Sequence, residues 1–495
     1  MPSVLAIDQG TTGTTALVLH QDGTVLGRGY REITQHYPNP GWVEHDPEEL
    51  FRSVLEAARQ AIGAAGERPA GIGITNQRET VVAWDRVTLS PVGPAIVWQD
   101  RRTAPRCREL IAAGRAEEVR ARTGLVVDPY FSATKLEWIF RDPALRREAG
   151  RGRLALGTVD AWLVARLTGG AAHVTDPTNA ARTMLYDIDA RQWSEELLRL
   201  FGVPREALPR VVPSSGLLGE TRRELLGASM PIAGLAGDQQ AALFGQGCWR
   251  PGLAKNTYGT GAFLLAYAGD RRPAVEQGVL ATLACGPRGE PAYAAEGSVF
   301  VAGAAVQWLR DALGLIASAA ETEALAWSLE DNGGVTFVPA FVGLGTPYWE
   351  PEARGMITGL TRGTGRAHLV RAALEAMAFS SAELLEAMLR GDGARLAALR
   401  VDGGAAANNW LMQFQAGVLG APVERPDMIE TTALGAAGLA GLALGVWSSA
   451  DEFLAGRRFS RFEPRMPPSE RERGLSEWRR AVGAALHWAR SGLRG

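Results

Sequence analysis

Cysteine is scarce in this chain, with three residues among 495. Cys107, Cys248 and Cys285 lie far apart and form no CxxC pair, which excludes a disulfide framework and a zinc cluster. We therefore expect reduced thiols and a cytoplasmic location.

Lysine is almost absent, because only Lys135 and Lys255 occur and nearly every other cation is arginine. Neither lysine follows the glycines of a GxxxxGK[ST] loop, and neither lies in a VAIK-like strand. The sequence therefore argues against a P-loop NTPase and a protein kinase. If the protein binds a nucleotide, backbone amides, hydroxyl groups and a metal ion must replace the lysine that those enzymes use.

The chain also lacks a strong net charge and a long apolar run. The formal net charge is −2 and no basic run occurs, so nucleic acid and anionic membranes are not expected partners. The most apolar stretch, residues 433–447, is shorter than the about 18 residues that span a bilayer, and it predicts a buried helix. The first residues show no basic segment before a long apolar one, so we expect no secretory signal.

Core-forming residues are plentiful. The 46% hydrophobic and 21% charged content is typical of a soluble globular protein. Because 495 residues exceed what one core usually supports, the length predicts two or three domains.

A glycine- and threonine-rich turn near the start is the first chemical motif. Gly10 and Gly13 let the backbone approach a ligand, and Thr11 and Thr12 add hydroxyl groups suited to phosphate oxygens. Asp8 would repel a bare phosphate, so it indicates a divalent cation, Mg²⁺, between the two. The alternative is a plain hairpin whose glycines and threonines serve only the turn.

A similar turn recurs half a chain away. Residues 252–256 and 262–267 read as strands around Thr257-Tyr258-Gly259-Thr260-Gly261, without an aspartate at the equivalent of Asp8. Two related lobes, each offering a hairpin to one phosphate chain, would explain both copies. Farther on, residues 401–409 predict a strand end, paired glycines with room for a flat ring, and Asn408 at the head of a helix, a combination that suits adenine and ribose.

Four further segments are candidates for polar ligand contact. Arg78 and Glu79 follow a predicted buried strand, where a sheet opens, although a solvated surface pair is the alternative. Trp98 is either a core residue or an aromatic wall against the carbons of a small polyol, and Tyr130 is either a hydroxyl donor or a capping aromatic. Asp238, in the first turn of a predicted helix, is either a helix cap or a general base that accepts a proton from an attacking hydroxyl.

Taken together, these segments resemble the glycerol kinase family of the FGGY carbohydrate kinases, over nearly the whole length. The most specific matches are residues 76–80, 98–103, 237–245, 402–404 and 408–409. The resemblance implies an α/β fold of two ribonuclease-H-like, actin-like ATPase lobes with a mixed sheet in each and a cleft between them. We place the lobes at residues 1–247 and 248–495.

The resemblance also implies an activity and a site: ATP-dependent phosphorylation of glycerol to sn-glycerol 3-phosphate, with Asp238 as the general base. The residues implied around glycerol are Arg78, Glu79, Trp98, Tyr130, Asp238, Gln239 and Phe263. Those implied around ATP are Thr11, Thr12, Gly13, Thr260, Gly303, Gln307, Gly404 and Asn408, with Asp8 and Asp238 at Mg²⁺. Relatives form dimers or tetramers, which implies a homo-oligomer here.

The sequence departs from the family pattern near both regulatory and phosphate contacts. Thr15 stands where many members carry an arginine, and Ser229 stands where relatives regulated by fructose 1,6-bisphosphate have one. We therefore expect weak or absent inhibition by that bisphosphate. Residues 214–237 contain no histidine, so activation by phosphorylation of that loop is not expected.

Two other functions stay open on the residues alone. A kinase of another polyol or ketose, such as xylulose or gluconate, would share most of the site, although Arg78, Glu79 and Trp98 argue against it. An actin-like or chaperone-like ATPase would need the two hairpins but no polyol pocket.

Overall fold

The structure, a computed structural model, describes residues 2–276, 278–391 and 395–491. Two large mixed β-sheets, one in each half of the chain, form its framework. The strands of the first half are β1 (Ser3–Gln9), β2 (Gly13–His20), β3 (Val25–Glu32), β4 (Glu44–His45), β5 (Ile72–Asn76), β6 (Val81–Asp85), β7 (Ala95–Ile96), β8 (Leu154–Thr158), β9 (Val174–Thr175), β10 (Tyr186–Asp187), β11 (Gln192–Trp193), β12 (Arg210–Val211), β13 (Ser215–Glu220) and β14 (Pro231–Gly237). Its helices are α1 (Pro47–Ala65), α2 (Ala104–Ala112), α3 (Ala116–Thr123), α4 (Ala133–Ile139), α5 (Pro143–Gly150), α6 (Val159–Leu167), α7 (Pro177–Ala180), α8 (Glu195–Phe201), α9 (Arg223–Leu226) and α10 (Asp238–Gly245), with a 3₁₀ turn at Arg205–Ala207.

The second half repeats the mixture of strands and helices. Its strands are β15 (Leu253–Tyr258), β16 (Ala262–Gly269), β17 (Leu280–Cys285), β18 (Pro291–Val299), β19 (Thr336–Val338), β20 (Met356–Thr358), β21 (Ala398–Gly403), β22 (Val423–Pro426) and β23 (Phe459–Phe462). Its helices are α11 (Gly303–Asp311), α12 (Glu321–Trp327), α13 (Arg366–Arg390), α14 (Asn409–Leu419), α15 (Thr431–Ala443), α16 (Ala450–Leu454) and α17 (Pro468–Ser491), with a 3₁₀ turn at Gly404–Ala407.

The first sheet has the order β13-β14-β5-β1-β2-β3 and is covered on both faces. Successive side chains of a strand point to opposite faces, and β1 is apolar on both. Leu5 and Ile7 join the core that contains α1, whereas Val4 and Ala6 join the core that contains α15. This explains why β1 reads as a continuous apolar run instead of an alternating one.

The second sheet has the order β17-β18-β16-β15-β21-β22-β23. In it β15 pairs antiparallel with β16 and parallel with β21, just as β1 pairs antiparallel with β2 and parallel with β5. Each glycine- and threonine-rich turn therefore joins two antiparallel strands. The strand before the turn, β1 or β15, also pairs with a parallel strand on its other side, β5 or β21. The predicted α/β fold with a mixed sheet in each lobe is confirmed.

The strand ends of the first sheet meet at one edge. The parallel strands β1, β5 and β14 are in register at their carboxyl ends, where Gln9 and Gly237 both lie opposite Asn76. Side chains that follow these ends are brought together, as is general for ligand sites of open α/β sheets. Asp8, Arg78 and Asp238 occupy this edge.

Helix α15 belongs to the second half of the sequence but packs on the first sheet. It contacts β1, β5, β14 and α10, and it confirms the buried helix predicted for this apolar stretch, ending at Ala443. The domain division at residue 247 stays a prediction. The strands of the two large sheets lie on either side of this position in the sequence, but α15 follows it and packs on the first sheet. In the described ranges, we find no helix with the length and apolarity needed to cross a membrane.

Candidate active site

Arg78 is the centre of a buried charge cluster at the edge where β1, β5 and β14 end. Arg78 and Glu79 are each 2% exposed, so the alternative of a solvated surface pair is wrong. The Arg78 guanidinium donates from Nη1 and Nη2 to the two carboxylate oxygens of Glu296, at 2.8 and 2.7 Å. Its Nε lies 3.2 Å from Oδ1 of Asp238. This bidentate pairing fixes the guanidinium plane.

Each Nη atom of Arg78 makes one further contact, and one of the two is with a predicted polyol residue, Tyr130. Nη1 also donates to Oε1 of Gln240 at 3.2 Å, and Nη2 reaches the hydroxyl of Tyr130 at 3.4 Å. The contact with Tyr130 is the longest of these four hydrogen bonds of Arg78. Most donors of Arg78 are therefore engaged with other side chains of the site, and the residue holds these side chains in place.

Glu296 and Arg182 complete the cluster, and sequence reasoning missed both. Arg182 donates from Nε to Glu79 at 2.7 Å and from Nη1 to Glu296 at 3.0 Å. Burial acts to raise the pKa of Glu296, but Arg182 and Arg78 outweigh it and hold that pKa below its usual value. Glu296 is the lone charge in the apolar strand β18, a signal that could have marked it as a buried partner. We found no comparable signal for Arg182.

Three aromatic rings stand beside the charge cluster. The Trp98 ring lies 5.4 Å from Tyr130 and 6.4 Å from Phe263, edge to face in both cases. All three residues are half-buried, so their rings leave apolar surface accessible. Nε1 of Trp98 donates to Oγ1 of Thr11 at 2.9 Å, which joins the predicted polyol wall to the first hairpin.

Asp8 and Asp238 lie within each other's electric field. Burial, followed by the negative charge of Asp238, raises the pKa of Asp8 to about 7. Burial also raises the pKa of Asp238, although Arg78 opposes the shift. Asp238 begins α10, but Gly237 is the cap residue, and Oδ1 of Asp238 accepts from the adjacent N–H of Gln239 as well as facing Nε of Arg78.

Asp8 and Asp238 are two carboxylates whose negative charges interact, and such a pair fits a divalent cation. A cation between Asp8 and Asp238 would relieve the repulsion that raises the pKa of Asp8. Among the described residues no group of three or more His, Cys, Asp or Glu could hold a metal ion. Such a sparse set suits Mg²⁺, which retains water and takes further oxygens from phosphate groups.

Each hairpin turn is closed by a backbone hydrogen bond between two glycines, which lie three positions apart in the first hairpin and two in the second. The N–H of Gly10 donates to the carbonyl of Gly13 at 2.9 Å, and the N–H of Gly259 donates to that of Gly261 at 2.8 Å. Thr12 and Thr260 are exposed at the tips, and Thr11 is half-buried.

The other predicted nucleotide residues lie along the second sheet. Gly303 donates its N–H to Gly259 at 3.0 Å, which attaches the start of α11 to the second hairpin. Gln307 is exposed on α11. Gly404 follows the end of β21, and a side chain there would meet nothing within 4 Å, so this backbone faces open space. Asn408 caps α14 through Leu411 and donates to Thr322 at 3.1 Å.

Two mixed sheets, each with a glycine- and threonine-rich hairpin, and a buried charge cluster beside Asp238 define a two-lobed α/β enzyme. The chain belongs to the FGGY family of carbohydrate kinases: residues 3–245 match the N-terminal domain and residues 254–444 match the C-terminal domain.

Within that family the chain is similar to glycerol kinases. It is 55% identical to the glycerol kinase of Bordetella parapertussis, over 98% of each chain. Its fold matches a crystal structure of Plasmodium falciparum glycerol kinase with ADP, at 35% identity, a TM-score of 0.93 and 98% coverage of both chains. A xylulose kinase from Rhodospirillum rubrum is 27% identical, with a TM-score of 0.86 and coverage of 98% of this chain and 99% of that one.

Proposed function

We propose that this protein transfers the γ-phosphoryl group of ATP to glycerol, giving sn-glycerol 3-phosphate and ADP. The observation that supports it most is a half-buried carboxylate, Asp238, beside a fixed arginine and an aromatic wall. The 55% identity with a curated glycerol kinase over almost the whole chain agrees with this reading.

In this proposal the polyol lies between the charge cluster and the aromatic rings. Glu79 accepts from glycerol hydroxyls, and Arg78, Tyr130 and Gln239 contact their oxygens, while the rings of Trp98 and Phe263 pack on the carbons. A hydrogen-bonding pocket of this kind can reject an analogue lacking one hydroxyl by about 10⁴-fold, because a buried polar group would be left unpaired.

The nucleotide spans both lobes, which we assign to residues 1–247 and 248–495. Thr11, Thr12 and Gly13 face one end of the phosphate chain and Thr260 the other, while Gly303, Gln307, Gly404 and Asn408 surround the nucleoside. Asp8 and Asp238 would hold Mg²⁺, which when bound neutralises charge on the phosphate oxygens.

Phosphoryl transfer then needs only positioning and one proton acceptor. The terminal hydroxyl of glycerol attacks the γ-phosphorus in line, Asp238 accepts its proton, and the bond from that phosphorus to the ADP oxygen breaks. The raised pKa of Asp238 makes its carboxylate a stronger base than an ordinary aspartate. Closing of the two lobes excludes water and limits hydrolysis of ATP.

Two alternatives rank below this proposal. A kinase of another polyol or ketose is favoured less because the identity to a xylulose kinase is 27%, half of that to a glycerol kinase. An actin-like or chaperone-like ATPase would have no use for the cluster around Arg78. A homodimer or homotetramer and a cytoplasmic location remain predictions.

A coupled assay for ADP release with glycerol as acceptor tests the function, and a panel of polyols and ketoses separates the first two candidates. Turnover that depends on glycerol supports the proposal, and turnover without any acceptor would favour the ATPase. Asp238→Ala should lower kcat by at least about 10²-fold while ATP still binds. If that variant retains turnover, the general base is misassigned.

A further inference from the structure

The only two lysines of the chain are both fully buried, and both belong to the surroundings of the candidate active site. Lys135 donates to the carbonyl oxygens of Tyr130 and Phe131, at 2.8 and 3.1 Å, and also to that of Pro129. Lys255, on β15, donates to Oγ1 of Thr257 at 2.9 Å and to Oε1 of Gln239. Burying an ammonium group costs free energy unless hydrogen bonds and charged partners compensate for the water that it loses.

The contact between Lys255 and Gln239 has a consequence for the amide. An ammonium group has three donors and no acceptor, so it can bind only the oxygen of the glutamine amide. The NH₂ group of Gln239 must then point away from Lys255. Without the ammonium group, the two ends of the amide are almost equal in size and the side chain can rotate.

We propose that Lys255 is a positioning residue that holds Gln239 in one amide orientation, so that the NH₂ group is presented as a donor to a polyol hydroxyl. This inference rests on the proposed function and refines its specificity. It also connects the two lobes, because Lys255 extends from the second sheet while Gln239 follows Asp238 on α10.

Arginine would not serve the same purpose. Its planar guanidinium is larger and spreads its donors in a fixed fork, whereas the ammonium group is a compact centre with three rotatable donors. In a chain that uses arginine almost everywhere else, a buried lysine indicates that the compact group is required.

The charges that face Lys255 come from several elements: Asp238, Arg78, Glu296 and Asp402. Burial lowers the pKa of Lys255 to about 8, while Asp402 and Asp238 act against that shift. The ammonium form therefore predominates at neutral pH, where it is a donor only.

The test is a double-mutant cycle at neutral pH with Lys255→Met and Gln239→Ala. Each single variant should raise KM for glycerol by about 10-fold, since each loses one oriented hydrogen bond, and the double variant should show no further rise. KM for MgATP should stay within about twofold of wild type. Lys255→Met should also discriminate less between glycerol and propane-1,2-diol or propane-1,3-diol, measured as the ratio of kcat/KM for glycerol to kcat/KM for the diol. Lys255→Arg should not restore the wild-type value of this ratio.

Met388→Ala, which removes a buried side chain from the core of the second lobe, controls for loss of stability alone. It should lower thermal stability without changing the ratio of kcat/KM for glycerol to kcat/KM for either diol. An unchanged KM in Lys255→Met, or effects of Lys255→Met and Gln239→Ala that simply add, would overturn the inference. If the wild-type enzyme prefers another polyol, the proposed function fails, and the same cycle with that polyol still decides the role of Lys255.

Discussion

Glu296 accepts hydrogen bonds from both arginines of the site. It is separated in sequence from Arg78 by 218 positions and from Arg182 by 114, so no local pattern could have paired them. Arg78 and Asp238, in contrast, were predictable, because each follows the end of a buried strand. A local rule finds the end of a strand, but only the fold determines which distant carboxylate reaches it.

Replacing Glu296 by glutamine should weaken both the fold and the site. The change keeps the shape of the side chain but removes the charge that two buried guanidinium groups share, and breaking a buried pair costs about 3 to 5 kcal/mol. We expect a lower free energy of unfolding and a reduced kcat/KM for glycerol, measured by denaturant titration and the coupled assay. Arg31→Ala, which breaks an exposed pair with Glu56, should leave both unchanged. Equal stability of Glu296→Gln and wild type would contradict the shared role.

Ser229 determines the expected response to fructose 1,6-bisphosphate. Its hydroxyl donates to Glu220 at 2.8 Å, so a carboxylate, which repels anions, lies beside this position. The nearby Arg68 is engaged with the carbonyl oxygen of Ser229. We expect no inhibition at physiological bisphosphate concentration in an assay of initial rate, and Ser229→Arg should increase any weak response. Strong inhibition of the wild-type enzyme would show that another cation serves the site.

At the scale of elements, α10 and α15 approach each other so closely at Gly435 that no side chain fits at this position. A Cβ atom added to Gly435 of α15 would lie 1.8 Å from the carbonyl oxygen of Ala241 on α10. The apolar stretch predicted a buried helix, but its partner could not be predicted, since α10 lies almost 200 positions earlier. The hairpins and the start of α10, by contrast, depend on neighbouring residues and were predicted correctly.

Gly435→Ala should destabilise the protein, although alanine normally favours a helix. Separating the two helices should cost about 1 to 3 kcal/mol. Because α10 begins with Asp238, a displacement of its first turn should also lower kcat, by up to about 10²-fold for about 1 Å. Thermal unfolding and the coupled assay measure the two effects.

The matched control is Gly483→Ala on α17, where an added Cβ meets nothing within 4 Å. This variant should be neutral or stabilised by up to about 1 kcal/mol. If both variants have the same thermal stability and kcat, the close approach of α10 and α15 is not the reason why residue 435 must be glycine.

Helix α6 contains a carboxylate whose protonation should appear in the pH dependence of stability. Burial raises the pKa of Asp160 to about 7, while Thr158 and Thr175 donate to its two oxygens and oppose the shift. Between about pH 4 and about pH 7 the folded chain therefore holds a proton that the unfolded chain has released, so stability decreases as pH rises through this window. Asp160→Asn lacks this titration.

We expect the Tm of the wild type to fall relative to that of Asp160→Asn as pH rises from about 4 to about 7. Above about pH 8 the difference between the two Tm values should become constant. Thermal unfolding in buffers across this range measures it. A difference that does not vary with pH would mean that Asp160 is ionised throughout.

At the scale of the whole molecule, the two sheets present their glycine- and threonine-rich hairpins with the same arrangement of neighbouring strands. The hairpin of β1 and β2 and that of β15 and β16 have the same strand neighbours, so each lobe contributes one set of backbone N–H groups and hydroxyls. The charge cluster already crosses between them, because Glu296 lies on β18 of the second sheet and Arg78 follows β5 of the first. A nucleotide held by both hairpins would favour the closed arrangement, in which the polyol residues are complete.

Nucleotide and glycerol should therefore bind cooperatively. With a non-hydrolysable ATP analogue and Mg²⁺ present, the Kd of glycerol should fall by about 10-fold, and glycerol should lower the Kd of the analogue by the same factor, because coupling between two sites is reciprocal. Titration calorimetry in both directions measures the two ratios. AMP is the control, since it lacks the phosphate groups that would span both hairpins, and it should leave the Kd of glycerol unchanged. Equal affinity for glycerol with and without the ATP analogue would mean that the lobes do not close on the nucleotide, and the proposed exclusion of water would then need another cause.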